Sequence, residues 1–123
     1  MNVLLVDDEI ELVSTLAERL SFRGVMVDWT ASAEEALEMG GKKSYDIAVL
    51  DVKMPGIDGF KLKRFLQEKN PKMKFIFLTG HGSEDYYRLG SSETGAEFYL
   101  VKPVQIEDLI DKMNKAFKEQ GEI

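Results

Sequence analysis

Ile47-Ala48-Val49-Leu50-Asp51 runs into Val52-Lys53-Met54-Pro55-Gly56-Ile57-Asp58-Gly59. Four consecutive apolar residues with no polar partner suit a strand buried on both faces, as in a parallel sheet covered by helices. An acidic residue then ends the strand. Pro55 and Gly56 stand where a type II turn wants them, at its second and third positions. The stretch therefore predicts a buried strand, a carboxylate at its tip and a tight turn shaping the loop beside it.

Outward from this strand, the same kind of run recurs. Residues 3–6 and 75–78 are apolar throughout, and 98–101 is a run of the same length that includes Tyr99. Val25, Val27 and Trp29 alternate instead, as on a half-exposed edge strand. Helical spacing fills the gaps. Ile10, Val13, Leu16, Ala17 and Leu20 share one face, with Gly24 as a stop. Ser32 and Glu35 form a capping box ahead of Ala36, Leu37 and Met39, and Gly40-Gly41 is expected to end that helix. Phe60, Leu62, Phe65 and Leu66 mark a third helix, closed by Asn70-Pro71, and Ile106, Leu109, Ile110, Met113 and Phe117 mark the last. A short helix is expected over 84–95. Gly90, Ser91, Ser92 and Gly95 weaken it, so it should open easily. Five strands alternating with five helices make one α/β domain over residues 1–123.

Composition bounds what such a domain can do. The 123 residues are 44% hydrophobic and 31% charged, which supports a core and excludes a disordered tail. A net charge of −6 argues against nucleic-acid binding by the domain's own surface. With no Cys, thiol catalysis and zinc-thiolate sites are excluded, and the lone His81 cannot build a His-rich metal site. Apolar runs of about five residues fall far short of the roughly 20 that span a bilayer, and the start of the chain lacks a signal-peptide pattern. A cytoplasmic location is the expectation.

In open α/β sheets, ligands bind beyond the carboxyl ends of the strands. After the first strand come Asp7, Asp8 and Glu9; after the third, Asp51; after the fourth, Thr79; after the fifth, Lys102-Pro103. If the first and third strands are adjacent, three carboxylates converge, facing a hydroxyl and an ammonium. Two carboxylates about 4 Å apart repel by about 4 kcal/mol at an effective dielectric near 20. Proton sharing or a bound cation relieves this, and all-oxygen donors with few carboxylates favour Mg²⁺. A carboxylate beside a hard metal, a Lys and a Thr suits phosphoryl transfer, with the carboxylate as nucleophile.

Taken together and in order, Asp7-Asp8, the 47–59 stretch, Leu78-Thr79-Gly80 and Tyr99-Leu100-Val101-Lys102-Pro103 closely resemble the receiver domain of two-component response regulators, from residue 3 to about 118. The resemblance implies a single flavodoxin-like, doubly wound fold with strand order 2-1-3-4-5. It implies Asp51 as the phosphoacceptor, loaded by a histidine kinase or a histidine phosphotransfer domain. Asp8, Asp51 and the backbone carbonyl of Lys53 match the direct Mg²⁺ ligands, and Asp7 matches the acid that holds the metal through water. Lys102 pairs with the phosphoryl group, Thr79 moves toward it, and Tyr99 matches the aromatic switch. Lys53 and His81 match positions that tune the phosphoryl lifetime, and the Lys102–Pro103 bond matches one that is cis. Such a domain is a phosphoacceptor rather than an enzyme. It works on an output domain or effector, none of which lies within these residues, or through a homodimer on the face made by the fourth helix, fifth strand and fifth helix.

Rival readings fare worse. A haloacid dehalogenase-type phosphatase wants a second Asp two residues after the nucleophile, where Lys53 stands. A flavodoxin needs a phosphate-welcoming first loop, but Asp7-Asp8-Glu9 repels one. A pseudo-receiver should have lost part of the acid–Thr–Lys set. The basic run over 61–74, with six Lys or Arg and one Glu, reads first as a solvated face. Its minority reading is a dock for an acidic partner.

Overall fold

In the computed structural model, residues 1–80 and 98–121 are described; the helix expected over 84–95, and His81, lie outside them. The strands are β1 (Asn2–Val6), β2 (Met26–Thr30), β3 (Ile47–Asp51), β4 (Lys74–Thr79) and β5 (Tyr99–Val101). The described helices are α1 (Ile10–Phe22), α2 (Ala33–Lys42), α3 (Gly59–Lys69) and, at the carboxyl end, α4 (Ile106–Gly121). All strand pairs are parallel, in the order β2-β1-β3-β4-β5.

The apolar runs are explained by the two faces they must cover. Along β1, Val3 and Leu5 point toward α1 and α4, while Leu4 and Val6 point toward α2 and α3. Ile47 and Val49 alternate with Ala48 and Leu50 in the same way, as do Ile76 and Leu78 with Phe75 and Phe77. A strand with helices on both sides has no face left for a polar residue. β2 closes one edge, as expected, but its alternation breaks at Trp29, which is exposed like Met26 while Val25 and Val27 pack on the core.

The helices depart from the sequence reading in five places. Ile10, expected in the core, is 58% exposed, because α1 starts there and its buried face begins at Val13. Phe65 and Phe117 are also exposed, and Ala116 takes the buried place in α4. Gly40-Gly41 does not end α2, which continues to Lys42. The capping box is half formed. Ser32 Oγ accepts from the Glu35 N–H at 3.2 Å, but the Ser32 N–H donates to Thr30 Oγ1 rather than to Glu35.

Candidate functional site

Register brings the acidic residues together. Val6 pairs with Leu50, so Asp7 and Asp51 are the next rungs on neighbouring strands. Strands lie about 4.8 Å apart, which fixes the two carboxylates as neighbours. Both are buried, while Asp8 is exposed. Oxygens of Asp7, Asp8 and Asp51 come within 4.8 Å of one another. On the other side, β5 pairs Val101 with Thr79, and the Lys102 N–H donates to the Thr79 carbonyl at 2.8 Å. The Lys102–Pro103 bond is cis.

The loop after β3 is fastened at both ends. The Val52 N–H donates to the Leu78 carbonyl at 3.0 Å, and the Gly59 N–H donates to the Val52 carbonyl at 2.9 Å. Gly56 has φ +78°, as the third position of a type II turn requires. Asp58 caps α3 by accepting from the Lys61 N–H at 2.9 Å. Gly59 is needed for a different reason: a Cβ there would sit 2.4 Å from the Asp51 carbonyl oxygen and 2.9 Å from the Val52 Cα. The start of α3 thus lies directly on the backbone that carries Asp51.

Neither Asp7 nor Asp8 caps α1, although acids favour helix starts. The residue that precedes α1 is Glu9, and its side chain makes no capping bond. Asp7 Oδ1 accepts from the Glu9 N–H at 2.9 Å, which shapes the turn between β1 and α1.

Charge is unbalanced in this cleft. Lys102 Nζ lies 2.9 Å from Asp7 Oδ2, 2.8 Å from Glu9 Oε1 and 3.5 Å from Asp51 Oδ1. Burial would lower the affinity of Lys102 for its proton, but Glu9 and Asp7 outweigh that and push its pKa up. Burial raises the Asp7 carboxyl above its usual range, against the pull of Lys102. Asp51 is pushed up to about 7, first by burial and then by the negative charge of Asp7, with Lys102 only partly offsetting them. Among the described residues, four carboxylates set against Lys102 and the more exposed Lys53 leave a negative surplus, and the carboxylates offer oxygen donors. That combination fits a hard divalent cation.

The structure brings Asp8, Asp51, Lys53 and Lys102 to one small open cleft of about 280 Å³, together with Glu9 and Gly80. Asp7 lies buried beside it. Thr79 ends β4, buried, and does not line the cleft. Tyr99 sits a strand further out, where its ring stacks on Phe77 at 5.2 Å; Phe77 in turn meets Phe60 of α3 at 4.9 Å. The sequence reading missed the contact between Glu9 and Lys102. Its only sequence signal was a third acid after Asp7-Asp8, which any helix start explains as well.

The response regulator receiver domain profile matches residues 3–114. The chain is 38% identical over 119 residues to the positive alginate biosynthesis regulatory protein of Pseudomonas aeruginosa, covering 94% of this chain and 47% of that protein. It is 36% identical over 115 residues to the two-component response regulator PhoP of the same organism, covering 93% and 50%. The chain therefore spans about half the length of these curated relatives. Among solved structures, a response regulator receiver domain protein from Clostridium thermocellum superposes with a TM-score of 0.88 at 33% identity, over 98% of this chain and 96% of that one. A CheY-like receiver domain protein from Methanospirillum hungatei gives 0.87 at 31%, over 98% and 95%. With sheet order, acidic cleft and profile in agreement over most of its length, the chain belongs to the response regulator receiver domain family of two-component systems.

Proposed function

We propose that Asp51 accepts a phosphoryl group from a histidine on a partner kinase or phosphotransfer domain. The observation that carries this reading is a buried carboxylate at a strand tip, raised to about 7, with an ammonium 3.5 Å away and two further acids beside it. An Asp51 carboxylate oxygen forms the bond to phosphorus. The bond from phosphorus to the donor imidazole nitrogen breaks, and that nitrogen keeps the electron pair. Lys102 is within reach to neutralise charge on the transferred group. Asp8, Asp51 and the Lys53 carbonyl would hold Mg²⁺ directly and Asp7 through water; the ion supplies charge neutralisation at the phosphoryl oxygens. Thr79 and Tyr99 carry the change outward, toward the partner or output domain. Domain limits at 1–123 and a dimer through the β5 and α4 side belong to the same proposal.

Acetyl phosphate with Mg²⁺ should add one acid-stable, base-labile phosphoryl group, seen as a single mass increment. Asp51→Asn should remove the increment and EDTA should block it. Undiminished modification of the Asn variant would overturn the assignment.

A further inference from the structure

Glu9 stands where a helix cap belongs, yet its carboxylate caps nothing. It reaches Lys102, which is 93 residues away in sequence, at 2.8 Å. Among the described residues, that is the shortest of three contacts made by the ammonium; Asp7 follows at 2.9 Å and Asp51 is last at 3.5 Å. The Glu9 side chain is 63% exposed, whereas that of Lys102 is 15% exposed. A largely buried lysine is therefore drawn toward the cleft mouth by a carboxylate that solvent can reach.

We infer that Glu9 is a positioning residue that latches Lys102 away from Asp51 in the resting protein. The inference rests on Asp51 as the phosphoacceptor and deepens that reading. For Lys102 to serve an incoming phosphoryl group it must exchange its Glu9 partner for the new oxygens. Asp7 cannot act as the same kind of latch. It is buried and pinned by the Glu9 N–H, so it stays in place in either state. Glu9 is free to swing into water when released, because its backbone alone starts α1. The latch slows loading of Asp51 by the free energy of one half-exposed ion pair, and it gives Lys102 a second defined position to return to when the phosphoryl group leaves.

An ion pair with one member in reach of solvent is weak, because water screens it. Glu9→Gln keeps the length of the side chain and removes its charge. It should speed phosphorylation of Asp51 roughly two- to fivefold, which is about 0.4 to 1 kcal/mol at 1.36 kcal/mol per tenfold. The gain should be equal for acetyl phosphate and for phosphoramidate, a donor of lower net charge, at fixed ionic strength and saturating Mg²⁺. A gain confined to acetyl phosphate would mean simple repulsion of the more anionic donor and would overturn the latch, as would no gain. The second measurement needs no phosphoryl chemistry. In the metal-free protein, the NMR signals of the Lys102 ammonium and its neighbouring methylene should shift in Glu9→Gln as the side chain moves toward Asp51. Unshifted signals overturn the latch. If the wild type takes up no phosphoryl group at all, the reading of Asp51 fails, and the latch is still decided by the Lys102 signals.

Discussion

At the carboxyl ends of the strands, Asp7 and Asp51 are 1% and 4% exposed, and both carboxyls are raised above their ordinary range by burial. At the amino ends of β3 and β4, where α2 and α3 finish, Lys42 and Lys43 stand around an open cavity of about 460 Å³ with Lys69 and Asn70. These lysines have local employment. Lys42 Nζ meets Glu38 at 3.3 Å, Lys43 meets Asp28 at 3.0 Å, and Lys69 donates to the Leu37 carbonyl at 3.5 Å, across the gap between the two helices. Cations near helix carboxyl ends offset the negative end of the dipole. Asp28 also accepts from the buried Tyr45 hydroxyl at 2.6 Å, and that bond and Lys43 hold its carboxyl below the usual range. One end of the sheet thus holds charge against the fold's interest and the other holds charge in its favour. Groups kept at a cost to stability mark a functional site more reliably than groups that are merely charged.

The largest expected effect tests how firmly the acidic end is built. Gly59→Ala puts a Cβ against two backbone atoms of residues 51 and 52 rather than against a movable side chain. Overpacking of this kind costs about 3 kcal/mol at its upper end. The variant should lose about that much in chemical denaturation and should also load Asp51 poorly. A loss under about 1 kcal/mol would mean that the start of α3 slides freely and does not position Asp51.

The next effect concerns the cost of the acidic charge itself. The carboxyl of Asp51 is raised in the folded state from 3.8 to about 7. A group raised on folding contributes stability that is fully present below its unfolded value and is lost as pH rises through the folded value. The metal-free protein should therefore weaken, through this group, between about pH 4 and pH 7. Asn cannot ionise, so Asp51→Asn should be more stable than the wild type at pH 8, and by less at pH 5. The difference between those two gains should be on the order of 1 kcal/mol or more. Saturating Mg²⁺ should shrink the gain at pH 8. Equal gains at both pH values, measured by urea melts, would show that Asp51 is not strained by its charge.

Strand content was open to sequence reading because burial on both faces leaves a near-continuous apolar run, as at 47–50 and 75–78; the strand order came from the resemblance and from no run. The acidic cleft was legible for the same reason: Asp7 and Asp51 interrupt their runs at one level of the sheet. Helix faces were less legible at their ends. Ile10 and Phe117 fit the periodicity but lie toward the ends of α1 and α4 and are exposed, and a pattern of spacing carries no information about where the neighbour stops. The double glycine at 40–41 did not stop α2, because the turn it belongs to is held by packing: a Cβ on Gly40 would meet the Leu66 side chain at 2.6 Å. The Glu9–Lys102 contact was invisible because it depends on the distance between two loops and on no local pattern.

The smallest effect tests the basic end. Lys69→Gln keeps a donor of similar reach near the Leu37 carbonyl and removes one positive charge from the carboxyl ends of α2 and α3. A cation at such a place is worth about 0.3 to 1 kcal/mol at low ionic strength. The bond is long and exposed, so the loss should lie near the lower figure, about 0.3 to 0.5 kcal/mol. It should fade in concentrated salt, since the screening length falls from about 10 Å at 0.1 M to about 3 Å at 1 M. Precision of that order needs paired urea melts at the two salt concentrations. The sign matters more than the size. If removing the charge destabilises the protein slightly, Lys69 serves the fold, as its contact with α2 indicates. If it stabilises the protein, the lysines around the 460 Å³ cavity repel one another, and the basic end joins the acidic one as a place where charge is kept at a cost to the fold, so that an anionic ligand becomes the thing to look for there.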